Sequence, residues 1–342
     1  MARRRRLCRG VPDRGAGGAT VRGDRRQSLH RARHAAAAGA LGAAPARNPR
    51  AVTRPYAEVI GDPIAQSKSP LIHGFWLAEL GIAADYRQTH VVPAGLADYL
   101  AARRTDPAWR GCNVTMPHKQ AIMPLLDRID PLARRVGAVN TVVRAPDGAL
   151  EGHNTDVPGF LEPLAPVLAA SHLFRMARVL GTGGAARAIV AGLAGHGFVI
   201  VLAGRDPGKA RALLDELAPA DAPDGRDHHA VDIAHFAQPT DFAFDDRKGC
   251  CDLVVNASML GMAGQPPLHF DWSHAPPGSI AYDIVTAPLD TPFLQDARAA
   301  GFATIDGLAM LIGQADHAFA HFFGQRPPRD RDADLRQSII GV

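Results

Sequence analysis

From Tyr56 onward, hydrophobic and polar positions follow two periods, and each change of period marks an element. YAEVIG, residues 56–61, is a short apolar-rich run of strand length. Pro70 to Leu80 spaces its apolar residues along one helical face and is closed by Gly81. Asp85 to Val92 returns to strand, Leu96 to Arg103 is helical, Arg110 to Val114 is a strand, and Ile129 to Val136 predicts a short helix. Ala138 to Arg144 and Ala149 to His153 predict a hairpin, because Pro146-Asp147-Gly148 between them is turn chemistry. Together these segments predict one α/β unit of about a hundred residues.

The second half repeats the alternation with a different emphasis. Val157 to Leu168 holds three prolines and reads as a hinge-like helix leading out of the first unit. Ala177 to Leu180, Phe198 to Ala203, Leu253 to Ala257 and Ile280 to Val285 are apolar runs that end in polar or Gly/Pro connections, the pattern of an open parallel sheet. Residues 307–323 predict a helix with Leu308, Leu311, Ala315, Phe319 and Phe322 on one face.

Composition changes this picture only at the start. The 342-residue chain has 46% hydrophobic and 21% charged residues, an ordinary globular balance long enough for two domains. Its net charge of +4 misleads, because residues 1–50 hold 13 Arg, no Lys, and only Asp13 and Asp24 as acids. The remainder therefore carries −7, which argues against a nucleic-acid groove. The first segment lacks aromatics and any apolar period, so it is expected to be disordered. It resembles a transit peptide in being Arg-rich and acid-poor, and Arg3 to Arg6 before the Ala-rich run faintly resemble a signal sequence. The preferred account is a later translation start, with Val52 a candidate because no methionine lies between Met1 and Met116. Cys8, Cys112, Cys250 and Cys251 form no metal-ligand spacing, so no metal is expected, and they suit reduced thiols in a cytoplasmic protein. No run reaches the ~18 apolar residues needed to span a membrane.

Chemistry concentrates where strands end. In GCNVTMPHK, residues 111–119, a strand runs into a helix start and leaves Asn113, Thr115 and Lys119 together. Pro117 favours a first helical turn, which would set Lys119 against the positive end of a helix, a place suited to a proton acceptor but equally open to a solvated lysine. GDPIAQSKSP, residues 61–70, offers Ser67 and Ser69 to an anionic or hydroxylated ligand; capping explains Ser69 alone but not the pair. In GHNTDVPG, Thr155 or Asp156 is placed as the N-cap of the next helix. Gly181-Thr182-Gly183-Gly184-Ala185-Ala186 is a G-x-G-x-x-A phosphate-binding turn in its proper strand–turn–helix context. At the end of the following strand stand Gly204, Arg205 and Asp206: Arg205 suits the 2′-phosphate of NADP, while Asp206 would suit the free 2′-hydroxyl of NAD unless it caps the helix beginning near Pro207. Gln314 is either a satisfied core amide or a ligand contact.

Six motifs in this order resemble the shikimate dehydrogenase family over roughly residues 55 to 325: GDPIAQSKSPLIH, GCNVTMPHK, GAVNT (137–141), GHNTD (152–156), GTGGAARA (181–188) and GLAMLIGQA (307–315). The resemblance implies NADPH-dependent reduction of 3-dehydroshikimate to shikimate, with Lys119 and Asp156 catalytic. It implies that Ser67 and Ser69 hold the substrate carboxylate, and that Asn113, Thr115, Asn140 and Gln314 meet the rest. The dinucleotide would be held by residues 181–186, Gly204, Arg205 and Gly307. It further implies a substrate-binding domain of residues 55–156 plus 307–342 and a Rossmann-like NADP domain of 157–306; a homodimer stays open, since oligomeric state is not readable from one sequence. Rivals are an NAD-dependent quinate/shikimate dehydrogenase and a non-catalytic dinucleotide-binding relative. Thr286 stands where the family commonly has a substrate-contacting tyrosine, Gly74 replaces a common asparagine, and Asp206 a common threonine.

Overall fold

In the computed structural model, which describes residues 54–219, 226–244 and 247–341, strand β1 (Tyr56–Gly61) is buried at every position. That is what makes it an interior strand, paired in parallel with β2 (Asp85–His90) on one side and β3 (Trp109–Val114) on the other. The sheet continues through β5 (Thr141–Arg144) and β6 (Leu150–His153), an antiparallel hairpin, to a two-residue strand β4 (Arg128–Ile129), giving the order β2-β1-β3-β5-β6-β4. The Arg-rich segment 1–53, with its expected disorder and alternative start, lies outside the described residues.

Around this sheet lie α1 (Ser69–Glu79), α2 (Leu96–Arg104), the single turn α3 (His118–Ala121) and α4 (Pro131–Val136). The expected helix from Ile129 starts two residues later, because Asp130 caps it by accepting from the Leu132 and Ala133 N–H groups while Arg128 and Ile129 extend the sheet. The three-proline stretch is not one helix. It breaks into α5 (Asp156–Leu161), a 3₁₀ turn (Glu162–Leu164) and α6 (Ala165–Leu168), with a proline in the first turn of the last two segments, where its missing N–H is harmless.

The second sheet is parallel throughout: β7 (Phe174–Leu180), β8 (Val199–Gly204), β9 (His229–Asp232), β10 (Cys250–Asn256), β11 (Ile280–Asp283) and β12 (Ala303–Ile305), in the order β12-β11-β10-β7-β8-β9. This is the doubly wound order, with its reversal between β7 and β10. Helices α7 (Gly184–Gly195), α8 (Pro207–Leu217) and α9 (Pro292–Ala299) accompany it. Helix α10 (Gly307–Phe323) returns to the first sheet, followed by α11 (Asp332–Ile340). Leu308, Ile312, Ala315 and Phe319 of α10 join Ile72, Trp76 and Leu77 of α1 in one apolar cluster; Ile312 takes the buried place expected for Leu311, which is only partly covered. No helix among the described residues is long and apolar enough to cross a membrane.

The two sheets are joined at α4 and α7. Val136, Ala138, Val157, Ala188 and Ala191 form an apolar cluster, and the buried Arg187 of α7 donates from Nε to the Val136 carbonyl at 2.7 Å and pairs with Glu216. Gly137 ends α4 in the left-handed conformation (φ 67°), and a Cβ there would lie 2.4 Å from Arg187 Nη2. Gly137→Ala is expected to cost about 1–3 kcal/mol from the backbone conformation alone, and more through the guanidinium. Gly148→Ala, at an open hairpin tip with φ 87°, carries only the strain. Urea unfolding of the two variants compares them; equal losses would show that Arg187 moves aside freely.

Candidate active site

Three chain segments meet at the end of the first sheet. β3 delivers Asn113, and the turn after it leads through Thr115 and Pro117 to Lys119 in α3. Pro117 precedes the helix rather than opening it, and four residues carry little dipole, so the setting of Lys119 is decided by its neighbours. Its Nζ donates to Asp156 Oδ2 at 2.6 Å, with the lysine side chain 15% exposed and the carboxylate 6%. The Lys119 carbonyl accepts from the Val139 N–H, which brings Asn140 alongside.

Asp156 opens α5, yet it does not cap it. Thr155 holds the N-cap position, as expected of Thr155 or Asp156, but makes no side-chain capping bond; Asn154, one residue earlier, supplies it, its Oδ1 accepting from the Val157 N–H. The freed carboxylate accepts from Lys119 on one oxygen and from Asn140 Nδ2 on the other, at 2.8 Å. Because Asn140 Oδ1 accepts from the Thr155 backbone N–H at 2.7 Å, its amide can point only one way. The network runs on: Thr141 Oγ1 donates to Asn140 Oδ1, Asn113 Nδ2 donates to Thr141 Oγ1, and Tyr86 donates to Asn113 Oδ1 at 2.6 Å. Thus Asn113, Lys119, Asn140 and Asp156 are brought together, and Thr115 sits in the turn between the first two.

Ser67 and Ser69 flank the start of α1. Ser69 does not cap that helix; its N–H donates to Ser67 Oγ at 3.3 Å, which leaves the Ser67 hydroxyl proton for a ligand. The Ser69 hydroxyl lies beside the Tyr86 phenol. Gln314 is buried in α10 and donates to the Leu311 carbonyl, a satisfied donor, while its helix backbone abuts Gly159 two residues beyond Val157.

On the second sheet, Gly181 follows β7 at the topological reversal. A Cβ there, with φ 124°, would lie 2.7 Å from the Ala257 carbonyl after β10, so only glycine keeps this crevice open. Thr182 packs its methyl against Gly204, Gly183 precedes α7, Gly184 and Ala185 form its first turn, and Ala186 is buried beneath it. A Cβ on Gly184 would stand 3.5 Å from the Lys119 side chain, so the dinucleotide turn and the lysine are neighbours. Asp206 accepts from the Gly208 and Lys209 N–H groups and so faces the α8 backbone, leaving Arg205 exposed with Lys209 one turn further on. Gly307 begins α10 pressed against the Val285 carbonyl, where no side chain would fit.

The sequence profile described as the shikimate dehydrogenase substrate binding domain matches residues 59–142. A protein of Sphingopyxis alaskensis named shikimate dehydrogenase (NADP(+)) is 50% identical over 290 residues, covering 84% of this chain and 97% of that one. The chain belongs to the shikimate dehydrogenase family. Among solved structures, the Thermus thermophilus shikimate 5-dehydrogenase in complex with NADP(H) and shikimate matches this family member with TM-score 0.67 and 32% identity, over 83% and 99% of the two chains. The Corynebacterium glutamicum quinate dehydrogenase in complex with NAD matches with TM-score 0.68 and 31% identity, over the same shares.

Sequence reasoning missed Tyr86, Asn154 and Lys209. Asn154 carried a signal, an Asn two residues before the helix; Tyr86 had none, since its reach to Asn113 crosses an intervening strand. Beside it, His73 of α1 stacks on Tyr86 at 3.9 Å between centroids, fully buried, with neither ring nitrogen in hydrogen-bond geometry among the described residues; nearby Asn113 offsets the effect of burial only slightly. Burial pushes its imidazole down to about 3, against about 6.5 in the unfolded chain. The unfolded state therefore binds a proton that the native state refuses, and stability present above pH 6.5 is lost as pH falls toward 3. This one group should remove about 2 kcal/mol between pH 7 and pH 5. His73→Phe, which keeps the stack, is expected to flatten that slope in urea titrations; an unchanged slope would assign it to other groups.

Proposed function

We propose that this protein reduces 3-dehydroshikimate to shikimate with NADPH, reversibly, and that Lys119 and Asp156 carry the proton transfer. The observation that carries the proposal is the buried Lys119–Asp156 pair lying against the first turn of the dinucleotide helix. A nicotinamide cofactor supplies the hydride. The residues fit one: the side-chain-free crevice at Gly181 and the exposed N–H groups opening α7 suit a pyrophosphate, and Arg205 suits a 2′-phosphate. What the chain's own residues must do is exchange the proton of the substrate hydroxyl. The 2.6 Å contact lets a proton pass within the pair, and Asn140 holds the carboxylate in place for it. Ser67 and Ser69 grip the acid group, and Asn113, Asn140, Thr115 and Gln314 orient the ring. The domain boundaries follow the same reading: residues 55–156 with 307–342 bind substrate and 157–306 bind NADP. A cytoplasmic location follows from the reduced thiols expected of the cysteines, and a homodimer stays open; neither comes from a feature of the site.

Lys119→Ala is expected to lower kcat by ~10² to 10⁴ while raising the shikimate KM only modestly, because proton transfer is required chiefly in the transition state. Asp156→Asn should behave similarly. Near-normal turnover at saturating substrate in either variant would remove that residue from the mechanism.

The NAD and quinate alternative needs a carboxylate at the ribose, and Asp206 is turned into the α8 backbone instead. NADP is therefore the expected cofactor, with Arg205 and Lys209 both able to meet the 2′-phosphate. Arg205→Ala is expected to lower kcat/KM for NADP by about 10- to 100-fold and to leave NAD within about threefold. Crossing shikimate and quinate with both cofactors checks the preference. An enzyme that favours NAD, with Arg205→Ala indifferent, would reverse it.

A further inference from the structure

Tyr86 belongs to β2 and Asn113 to β3, with β1 between them. Their hydrogen bond is a consequence of register: Tyr86 stands opposite Ala57 and Asn113 opposite Val59, so all four lie on one face of the sheet. The methyl of Ala57, fully buried against Tyr86, leaves room for the phenol ring to lie across β1. His73 stacks on the ring at 3.9 Å with the planes 1° apart, which fixes its plane. The hydroxyl then falls between two groups assigned above to the substrate, the Ser69 hydroxyl and the Asn113 amide.

Asn140 Oδ1 is oriented by a backbone N–H at 2.7 Å, whereas the Asn113 amide nitrogen meets its one backbone partner, the Asn140 carbonyl, only at 3.4 Å. Asn113 Nδ2 also donates to the Thr141 hydroxyl, itself able to donate or accept, and Tyr86 makes the short bond to Asn113 Oδ1, at 2.6 Å. Were the phenol hydroxyl absent, the long bond to the Asn140 carbonyl would be the main hold on the amide's rotation. We propose that Tyr86 is a positioning residue for substrate binding: by donating to Asn113 Oδ1 it fixes the rotation of that amide and leaves the second lone pair of Oδ1 aimed at a substrate hydroxyl. The proposal rests on the shikimate dehydrogenase reading, in which Asn113 meets the substrate ring.

Tyr86→Phe removes the hydroxyl and keeps the stack on His73. It is expected to raise the shikimate KM by about 5- to 30-fold, the loss of one well-made hydrogen bond, with kcat and the NADP KM within about threefold. In an Asn113→Ala background the same change should alter the shikimate KM less than about twofold, because no amide remains to be aimed. Loss of folded enzyme would lower apparent kcat and leave KM unchanged, and a general loosening of the site would raise both KM values and persist in the Asn113→Ala background. A normal shikimate KM in Tyr86→Phe, or an equal penalty in both backgrounds, overturns the proposal. Calorimetric titration of shikimate into each variant without cofactor reads the same coupling when turnover is not measured. Wild-type turnover with NADP tests the functional reading separately.

Discussion

Two charges of opposite sign buried side by side are stable only when each remaining lone pair and N–H has somewhere to go, and the Asp156 carboxylate sets this condition for the whole site. One oxygen takes Lys119, the other Asn140, and Asn140 is in turn locked by the Thr155 backbone. Each partner comes from a different element: Lys119 from the turn after β3, Asn140 from the approach to β5, and Asp156 from the first residue of α5. The antiparallel pairing of β3 with β5, Asn113 opposite Thr141, is what makes those elements converge. A slip of one residue would send Asn113 to the opposite face and cut the chain of bonds that links it to Asp156.

Much of this was legible in the sequence. The strand–turn–helix around Gly181 declared itself because its glycine spacing and flanking strand and helix are local, even though the close approach that demands glycine at 181 is to Ala257 across the crevice. Residues 307–323 appear as helix α10 with the same bounds, since a 17-residue period outweighs local propensity. Other features were not legible because they depend on what lies across space. Asp156 and Asp206 look alike in sequence, each an acid at a helix start with N-cap character. Only Asp206 caps, and Asp156 is released because Asn154 has already taken the exposed N–H. The helix expected from Ile129 starts at Pro131 for a similar reason: Arg128 and Ile129 have a neighbouring strand to pair with, and that partner, Glu151 and Gly152, is over twenty residues away in the chain.

The fate of Asp206 also shapes the electrostatics of the cofactor site. A carboxylate beside a bound 2′-phosphate would oppose Arg205 at short range, whereas one accepting two backbone N–H groups spends its charge on the helix terminus. The same two bonds that turn Asp206 into the backbone start α8. Local helix chemistry and cofactor preference are thus one event, which explains how an acid can occupy this position without forcing the choice of NAD.

Helix α7 ties the two halves of the chemistry together. Its first turn opens on unpaired N–H groups and lies beside the Lys119 stem, and three residues later Arg187 reaches back to the Val136 carbonyl. That carbonyl is at the C-terminal end of α4, a negative helix end satisfied by a guanidinium, and four residues further on stands Asn140. The buried cluster of Val136, Ala138, Val157, Ala188 and Ala191 surrounds the contact, so α4, α5 and α7 pack as one body. Gly137 is the hinge of the arrangement, the position where left-handed backbone and a missing side chain are both required for Arg187 to sit as it does. The glycine turn before α7 and the turn that carries Asn140 are therefore held on the same packing, and the spacing between the Gly181 crevice and the Lys119–Asp156 pair is set by side chains that line neither.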